Sequence, residues 1–498
     1  MKKTIFLGML FLITSMVTVS CVKDSMLQPQ DPESAKNQYV NAWIKEEMST
    51  YYLWNDKISP NLDDKVKPDA YFESMLYKYD KNSAPDGDRF SWIQEDYVEL
   101  LESLSGVASL EIGFDYKWYA YNQSDVFGEI AYVKKNTDAA AKGLKRGQVF
   151  TYINNTKLTT DNYRTLMSNA EKSASIALRI SNAEIDLATR KISFSNEQSI
   201  TVNLLSKYAE NPVYLDSVYS INGKTIGYLV YNFFAADARD YTSAYDLALN
   251  NVFEKFKNRG IDNLVLDLRY NSGGSVNSAI YLSSMIVKNM STKSVFCKME
   301  FNREYQSYLV KKYGSDYLLD YFENKIEVYN KDNKLTGEYP LHNLGNLQTL
   351  YVLTGKWTAS ASEMVINGLK PYMDVFIIGD ITYGKNVAST TFYKEKDAKN
   401  KWGLQPIIAK YYNSQGKSDF TAGFIPNILD EDTWNMPKKA LGEINEALLG
   451  TAIRHITGEP TSKMAQTKVM HPDPSFLLDM GSSLEHKPWR NQIIFDRR

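Results

Sequence analysis

Ser360 and Lys385 stand 25 positions apart, in Thr-Ala-Ser-Ala-Ser-Glu (358–363) and Gly-Asp-Ile-Thr-Tyr-Gly-Lys-Asn (379–386). A hydroxyl nucleophile needs a base to take its proton and N–H donors to face the oxyanion that forms. A lysine amine serves as that base near neutrality only if its pKa falls from about 10.4 toward ~7, roughly three units or ~4 kcal/mol, which a desolvated position supplies. The apolar run Leu350 to Leu353 reads as a buried strand, and Met364, Val365 and Leu369 share one helix face, so Ser360 is expected at a strand-to-helix turn. There the amide of Ala361 has no partner inside the helix and is free to face a negative charge. Val375 to Ile378 reads as another buried strand, and Gly379 and Gly384 let the lysine loop bend back under cover.

A third segment, Leu-Val-Leu-Asp-Leu-Arg-Tyr-Asn-Ser-Gly-Gly (264–274), is an apolar strand running into a double-glycine turn ahead of a helix-like stretch, Val276 to Val287. Gly273 and Gly274 can present backbone N–H groups with no side chain in the way. With Ala361 they would form a two-donor oxyanion hole. Asp267 and Arg269 are expected to brace the loop by pairing with each other.

Taken in this order, the three segments resemble the C-terminal processing (tail-specific) serine peptidases, whose motifs Asp-Leu-Arg-x-Asn-x-Gly-Gly, Thr-Ala-Ser-Ala-Ser-Glu and Gly-x-x-Thr-x-Gly-Lys all stand here. The resemblance covers roughly residues 105 to 450. It implies a crotonase-like ββα core, with Ser360 as nucleophile and Lys385 as general base. Two positions depart from the family pattern: Ser389 stands where many members carry a glutamine that orients the lysine, and Pro371 where others carry an aspartate. Ser389 could hold the amine in place, or the third role could be absent.

Competing motifs fail on their residues. Gly379 to Asn386 fits the spacing of a phosphate-binding loop, but Asn386 offers no hydroxyl for Mg²⁺, and Val387 to Tyr393 reads as a strand where such a loop opens a helix. The four histidines, His342, His455, His471 and His486, belong to no motif and show no metal-ligand spacing. The chemistry read here calls for no metal or organic cofactor.

Upstream, Ile112-Gly113-Phe114, Ile130 to Val133, Ala139 to Gly147 and Val149 to Ile153 follow a strand, strand, short helix, strand order that resembles a PDZ domain. Such a domain binds a peptide as an added strand, and the resemblance implies a carboxylate held by the amides around Ile112, Gly113 and Phe114. The expected partners are polypeptides with free C-termini.

At the N-terminus, Lys2 and Lys3 precede an apolar run from Ile5 to Val19 that ends at Ser20-Cys21. This reads as a secretory signal peptide closing in a lipobox, with Cys21 the lipidated residue and the protein tethered to a bacterial membrane in the cell envelope. With Cys21 so used, Cys297 has no disulfide partner, since the chain has two cysteines; it is expected to be a half-buried apolar residue.

At 498 residues and 43% apolar content, the chain reads as a globular protein of about three domains. A net charge of −2 without a basic run argues against nucleic acid as a partner. The expected class is α/β multidomain: signal peptide 1–20, lipidated tether 21–35, helical domain 36–104 packed beside the PDZ-like module, PDZ-like domain 105–205, catalytic domain 206–455, and extension 456–498 wrapped on the surface. Two other activities fit the same residues: a catalytically degenerate peptide-binding protein, and a serine–lysine esterase or transpeptidase.

Overall fold

The computed structural model describes residues 31–186, 189, 191–430, 432, 438–459, 477–486 and 493–494. The signal peptide and Cys21 lie outside the described residues. The first helix, Pro32–Tyr51, is capped by Asp31, whose side chain accepts the Glu33 N–H, and Pro32 fits the first helical turn. Residues 32–35, expected in the tether, are therefore helical.

The region expected to be catalytic is built on a six-stranded sheet ordered Val213–Ile221, Lys224–Tyr231, Asn263–Asp267, Thr349–Thr354, Asp374–Gly379, Ile428–Leu429. Its first pair is antiparallel and the remainder parallel. Alternate residues of each strand face opposite sides, as the two-residue side-chain period requires. Leu264, Leu266, Leu350 and Val352 pack with helices Ala244–Asn258, Val276–Ile286 and Ala361–Leu369. Val265, Tyr351 and Leu353 pack on the other face against helix Ala447–Thr457. Cys297, expected half-buried, is wholly buried in strand Val295–Phe301, its neighbours on both sides being paired strands.

Residues 107–203 form a separate β unit containing the expected strand, strand, short helix, strand order: Phe114–Ala120, Val126–Val133, Asp138–Ala141, Gln148–Ile153. Helix Tyr163–Ala170 and the long hairpin Ser175–Asp186 with Lys191–Asn203 complete it. A buried ion network locks this unit to the catalytic region. Arg269 pairs with Asp267 at 2.8 Å and with Glu446 at 2.6 Å, while Arg146 reaches Asp432 at 2.8 Å. The pairing expected of Asp267 and Arg269 is thus present, within a larger cluster.

Two expectations about packing are corrected. The N-terminal helical region does not simply sit beside the β unit: Trp43, Ile44, Met48 and Phe72 form a core with Trp402 and Leu404 of the catalytic region, and strand Trp92–Gln94 pairs with Gly403–Gln405. The C-terminal extension does not merely wrap the surface either. Strand Leu478–Ser482 joins the β unit's sheet, and Leu477 and Leu484 are each buried to 2% exposure, because apolar side chains spaced along a polar stretch still seek cover.

Candidate active site

Ser360 sits between strand Thr349–Thr354 and helix Ala361–Leu369, with φ 64° and ψ −116°. A non-glycine residue in this region costs on the order of 1–3 kcal/mol and persists only where its surroundings enforce it. The enforcement comes from Glu363, one turn on. Its Oε2 accepts the N–H groups of Ser360 at 2.9 Å and Lys385 at 2.8 Å, and its Oε1 accepts Gly384 N–H at 2.7 Å and Thr382 Oγ1–H at 2.6 Å. One carboxylate thus ties the serine turn to the lysine loop. Tyr411 adds a second tie, its hydroxyl lying 3.3 Å from Ser360 O and 3.0 Å from Lys385 O. The Ser360 hydroxyl is fully buried and donates to no partner among the described residues, which leaves its proton available to a base.

Burial pushes Glu363 up to about 7, against the pull of its four donors. Every contact to it is a donor, the pattern an ionised carboxylate requires. Lys385 is also fully buried, which lowers its amine to about 7; Asp88 and Glu363 pull the value back up, and Arg89 presses it further down.

The cover over Lys385 comes from the N-terminal region. Its Nζ lies 4.9 Å from the centre of the Phe90 ring. Arg89 stacks on the same ring at 4.8 Å and donates to Gly384 O at 2.9 Å and Thr421 O at 3.3 Å. Asp88 Oδ1 holds the turn by accepting the Phe90 and Ser91 N–H groups. Gly384 has φ 89°, and a Cβ there would fall 2.3 Å from Thr421 O, so only glycine lets the loop pass beneath this cover.

On the oxyanion side, Gly274 passes so close to Phe234 that a Cβ would lie 2.0 Å from its carbonyl oxygen. The two expected glycines are not equivalent. Gly273 N–H is taken by Asn271 Oδ1 at 2.9 Å, which removes it as an oxyanion donor and leaves Gly274. Ala361 holds the first helical position, where its N–H lies beyond the intrahelical ladder. A cavity of about 260 Å³ opens beside Phe234, Ser275, Thr390 and Thr391, with Asp237 and Arg239 in its wall.

Ser389 is buried on strand Val387–Ser389 and accepts from Gln405 Nε2 at 3.1 Å; Gln405 Oε1 in turn accepts from Thr391 Oγ1 at 2.6 Å. An amide thus reaches the position four residues after the lysine, from strand Gly403–Gln405. Pro371 follows the last turn of the serine helix and carries no polar side chain.

The carboxylate role expected of Ile112, Gly113 and Phe114 is not supported by the geometry. Gly113 N–H donates to Glu111 Oε1 at 2.8 Å, and Phe114 pairs with Val133 in the sheet. The adjoining cavity of about 360 Å³ is walled by Glu99, Glu102, Glu111, Asp115 and Glu171, with Lys134 already paired to Glu111. A further carboxylate there would meet like charge.

Comparisons with known proteins point to one peptidase family. The family described as "Peptidase family S41" matches residues 225–429, and "Peptidase S41 N-terminal domain" matches residues 39–92. The carboxyl-terminal-processing protease of Picosynechococcus sp. is 26% identical over 203 residues, 41% of this chain and 38% of that protein. The tail-specific protease of Haemophilus influenzae is 25% identical over 194 residues, 37% of this chain and 23% of that protein. The matched stretches thus span well under half the length of these relatives. A solved structure from Bacteroides fragilis assigned to the S41 proteases superposes with a TM-score of 0.66 at 26% identity, covering 84% of this chain and 97% of that one. Residues 225–429 thus carry a peptidase family S41 domain, and residues 39–92 the N-terminal domain of that family.

Proposed function

We propose that the protein is a serine peptidase that hydrolyses polypeptides through an acyl-enzyme, with Ser360 as nucleophile and Lys385 as general base. The observation that carries this reading is the shared Glu363 carboxylate, which fixes a strained serine and a buried lysine to one another. Near neutral pH a substantial fraction of Lys385 is the free amine, able to take the Ser360 proton as Oγ attacks the scissile carbonyl. The N–H groups of Ala361 and Gly274 receive the oxyanion. The lysine then returns the proton to the leaving amine, and water, deprotonated by the same amine, resolves the ester. Ser389, held by Gln405, supports the strand that follows the base.

Extended polypeptides are the substrates in this reading, laid along Gly274–Ser275 beside the cavity at Thr390 and Thr391. Cleavage near C-termini follows the names of the relatives. The β unit of residues 107–203 is read as a PDZ-like module, the catalytic region as crotonase-like, and Cys21 as the lipid attachment that holds the enzyme in the cell envelope.

The test is digestion of an unstructured protein and a mixed peptide pool by the chain from Asp31 onward, read by mass spectrometry beside Ser360→Ala and Lys385→Ala. Cleavage that is lost in both variants is expected. Cleavage that survives in Ser360→Ala would refute the assignment.

A further inference from the structure

Strand Phe114–Ala120 has two neighbours. One edge pairs with Val126–Val133. The other pairs antiparallel with Leu478–Ser482, in the register Leu478 to Ala120, Asp479 to Tyr119, Gly481 to Trp118 and Ser482 to Lys117. More than 340 residues of chain separate these two partners. The incoming strand lies alongside helix Tyr163–Ala170: Tyr163 donates its hydroxyl to Met480 O at 3.3 Å, and Met480 packs against the cluster containing Trp118, Tyr163 and Met167. An extended segment added to a sheet edge under a helix is how peptide-binding β modules hold a ligand.

The added strand is anchored at both ends. Leu477 inserts among Tyr119, Phe127, Val149 and Ala183, and Leu484 among Ala131, Tyr132, Tyr270 and Trp357. Ser482 Oγ donates to Tyr116 O at 2.8 Å, and Ser483 Oγ donates to Asp115 Oδ1 at 2.8 Å while accepting Tyr116 N–H at 2.9 Å. Asp479 pairs with Lys356, four residues before Ser360. The segment runs through the groove as internal sequence, consistent with a Gly113 amide already satisfied by Glu111.

The same tail reaches the active site. Ile493–Ile494 pairs in parallel with Gly274–Ser275, and Ile494 also stands opposite Ser389. It therefore lies between the glycine turn and the strand that follows the lysine, along the track an extended substrate would take.

We propose that two segments of the C-terminal extension, residues 477–486 and Ile493–Ile494, are an internal ligand of this protein: Leu478–Ser482 fills the groove between strand Phe114–Ala120 and helix Tyr163–Ala170, and Ile493–Ile494 fills the substrate track, so peptides in trans must displace the tail to bind. The second half of this inference rests on the peptidase reading; the first stands without it. A tethered strand faces its groove at an effective concentration on the order of mM, so free peptide at micromolar levels competes poorly.

The test uses the full chain carrying Ser360→Ala and a fluorescein-labelled peptide of residues 476–486, with binding read by polarisation. Leu477→Asp with Leu484→Asp removes both anchors. A site-specific protease sequence inserted between residues 465 and 470, cut after folding, frees the tail without any substitution in it. The released forms are expected to bind the peptide at least about tenfold more tightly than the uncut parent, since a groove occupied nine-tenths of the time loses that factor in apparent affinity. Equal binding in cut and uncut chains, or no binding to a cut chain that still melts as the parent does, would overturn the proposal. With Ser360 restored, cutting is expected to raise peptide turnover. Tighter binding without any turnover would uphold the groove assignment and count against the peptidase reading and its substrate track. Turnover with unchanged binding would do the reverse.

Discussion

Ser360 and Lys385 donate their backbone N–H groups to a single atom, Glu363 Oε2, at 2.9 and 2.8 Å. The two side chains proposed to exchange a proton are therefore positioned by one buried carboxylate, and the strain at Ser360 is maintained by it.

Glu363→Gln keeps the shape but turns an NH₂ group toward N–H and O–H donors. Leaving buried donors unmatched costs about 1–3 kcal/mol each, so a loss of roughly 2–4 kcal/mol in stability is expected, with kcat/KM falling on the order of a hundredfold. Urea denaturation and steady-state kinetics on the same preparation check this. Parent-like activity in a correctly folded variant would remove Glu363 from the account.

The pH profile of kcat/KM should rise from acid with an apparent pKa of about 7, where Lys385 loses its proton. Three groups face the amine and set the sign of each change: Arg89→Met removes a like charge and should move the limb up, whereas Asp88→Asn removes an opposite charge and should move it down. Phe90→Ala admits water beside Nζ and should also move it up. Shifts of the same sign in the Arg89 and Asp88 variants would contradict the electrostatic assignment.

Lys385 should weaken the fold near neutrality. Its folded value of about 7 lies below the ordinary lysine value of 10.5, so the unfolded chain binds the extra proton first as pH falls. Stability is lost between about pH 10.5 and 7 and stays lost below, approaching about 5 kcal/mol. Lys385→Met is thus expected to melt higher than the parent at pH 7, with the gap closing toward pH 10. A gap independent of pH would count against a buried, neutral amine.

Arg269→Met should be severe for a different reason. It leaves buried Asp267 with no cation among the described residues and buried Glu446 with Arg146 alone, at 3.5 Å. Removing one member of a buried pair costs about 3–5 kcal/mol, which a shift in denaturation midpoint will register.

The turn that carries Ser360 and the loop that carries Lys385 were legible because both rest on local patterns: an apolar strand, a small-residue turn and an amphipathic helix around Ser360, then a glycine-bounded loop around Lys385. Glu363 was visible as a letter of the motif, but its bonds to Gly384 and Lys385 depend on a loop twenty residues away. The Asp88-Arg89-Phe90 cover was not legible at all. It comes from another region, nearly 300 residues earlier, and nothing in its local pattern says which surface it will meet. Gly113 misled for a related reason, since the loop pattern invites a ligand carboxylate and only the folded chain shows Glu111 already supplying one. The tail misled by composition: its prolines and polar residues hid Leu477 and Leu484, which decide where it binds.

The most direct test of the central claim is covalent labelling by a serine-directed fluorophosphonate, followed by peptide mapping across pH in the parent and Lys385→Ala. A single adduct on Ser360 is expected, with a labelling rate that climbs through a midpoint of about 7 and near-complete loss of labelling in Lys385→Ala. An adduct on another residue, or a rate on Ser360 that is indifferent to pH and to Lys385, would contradict the claim.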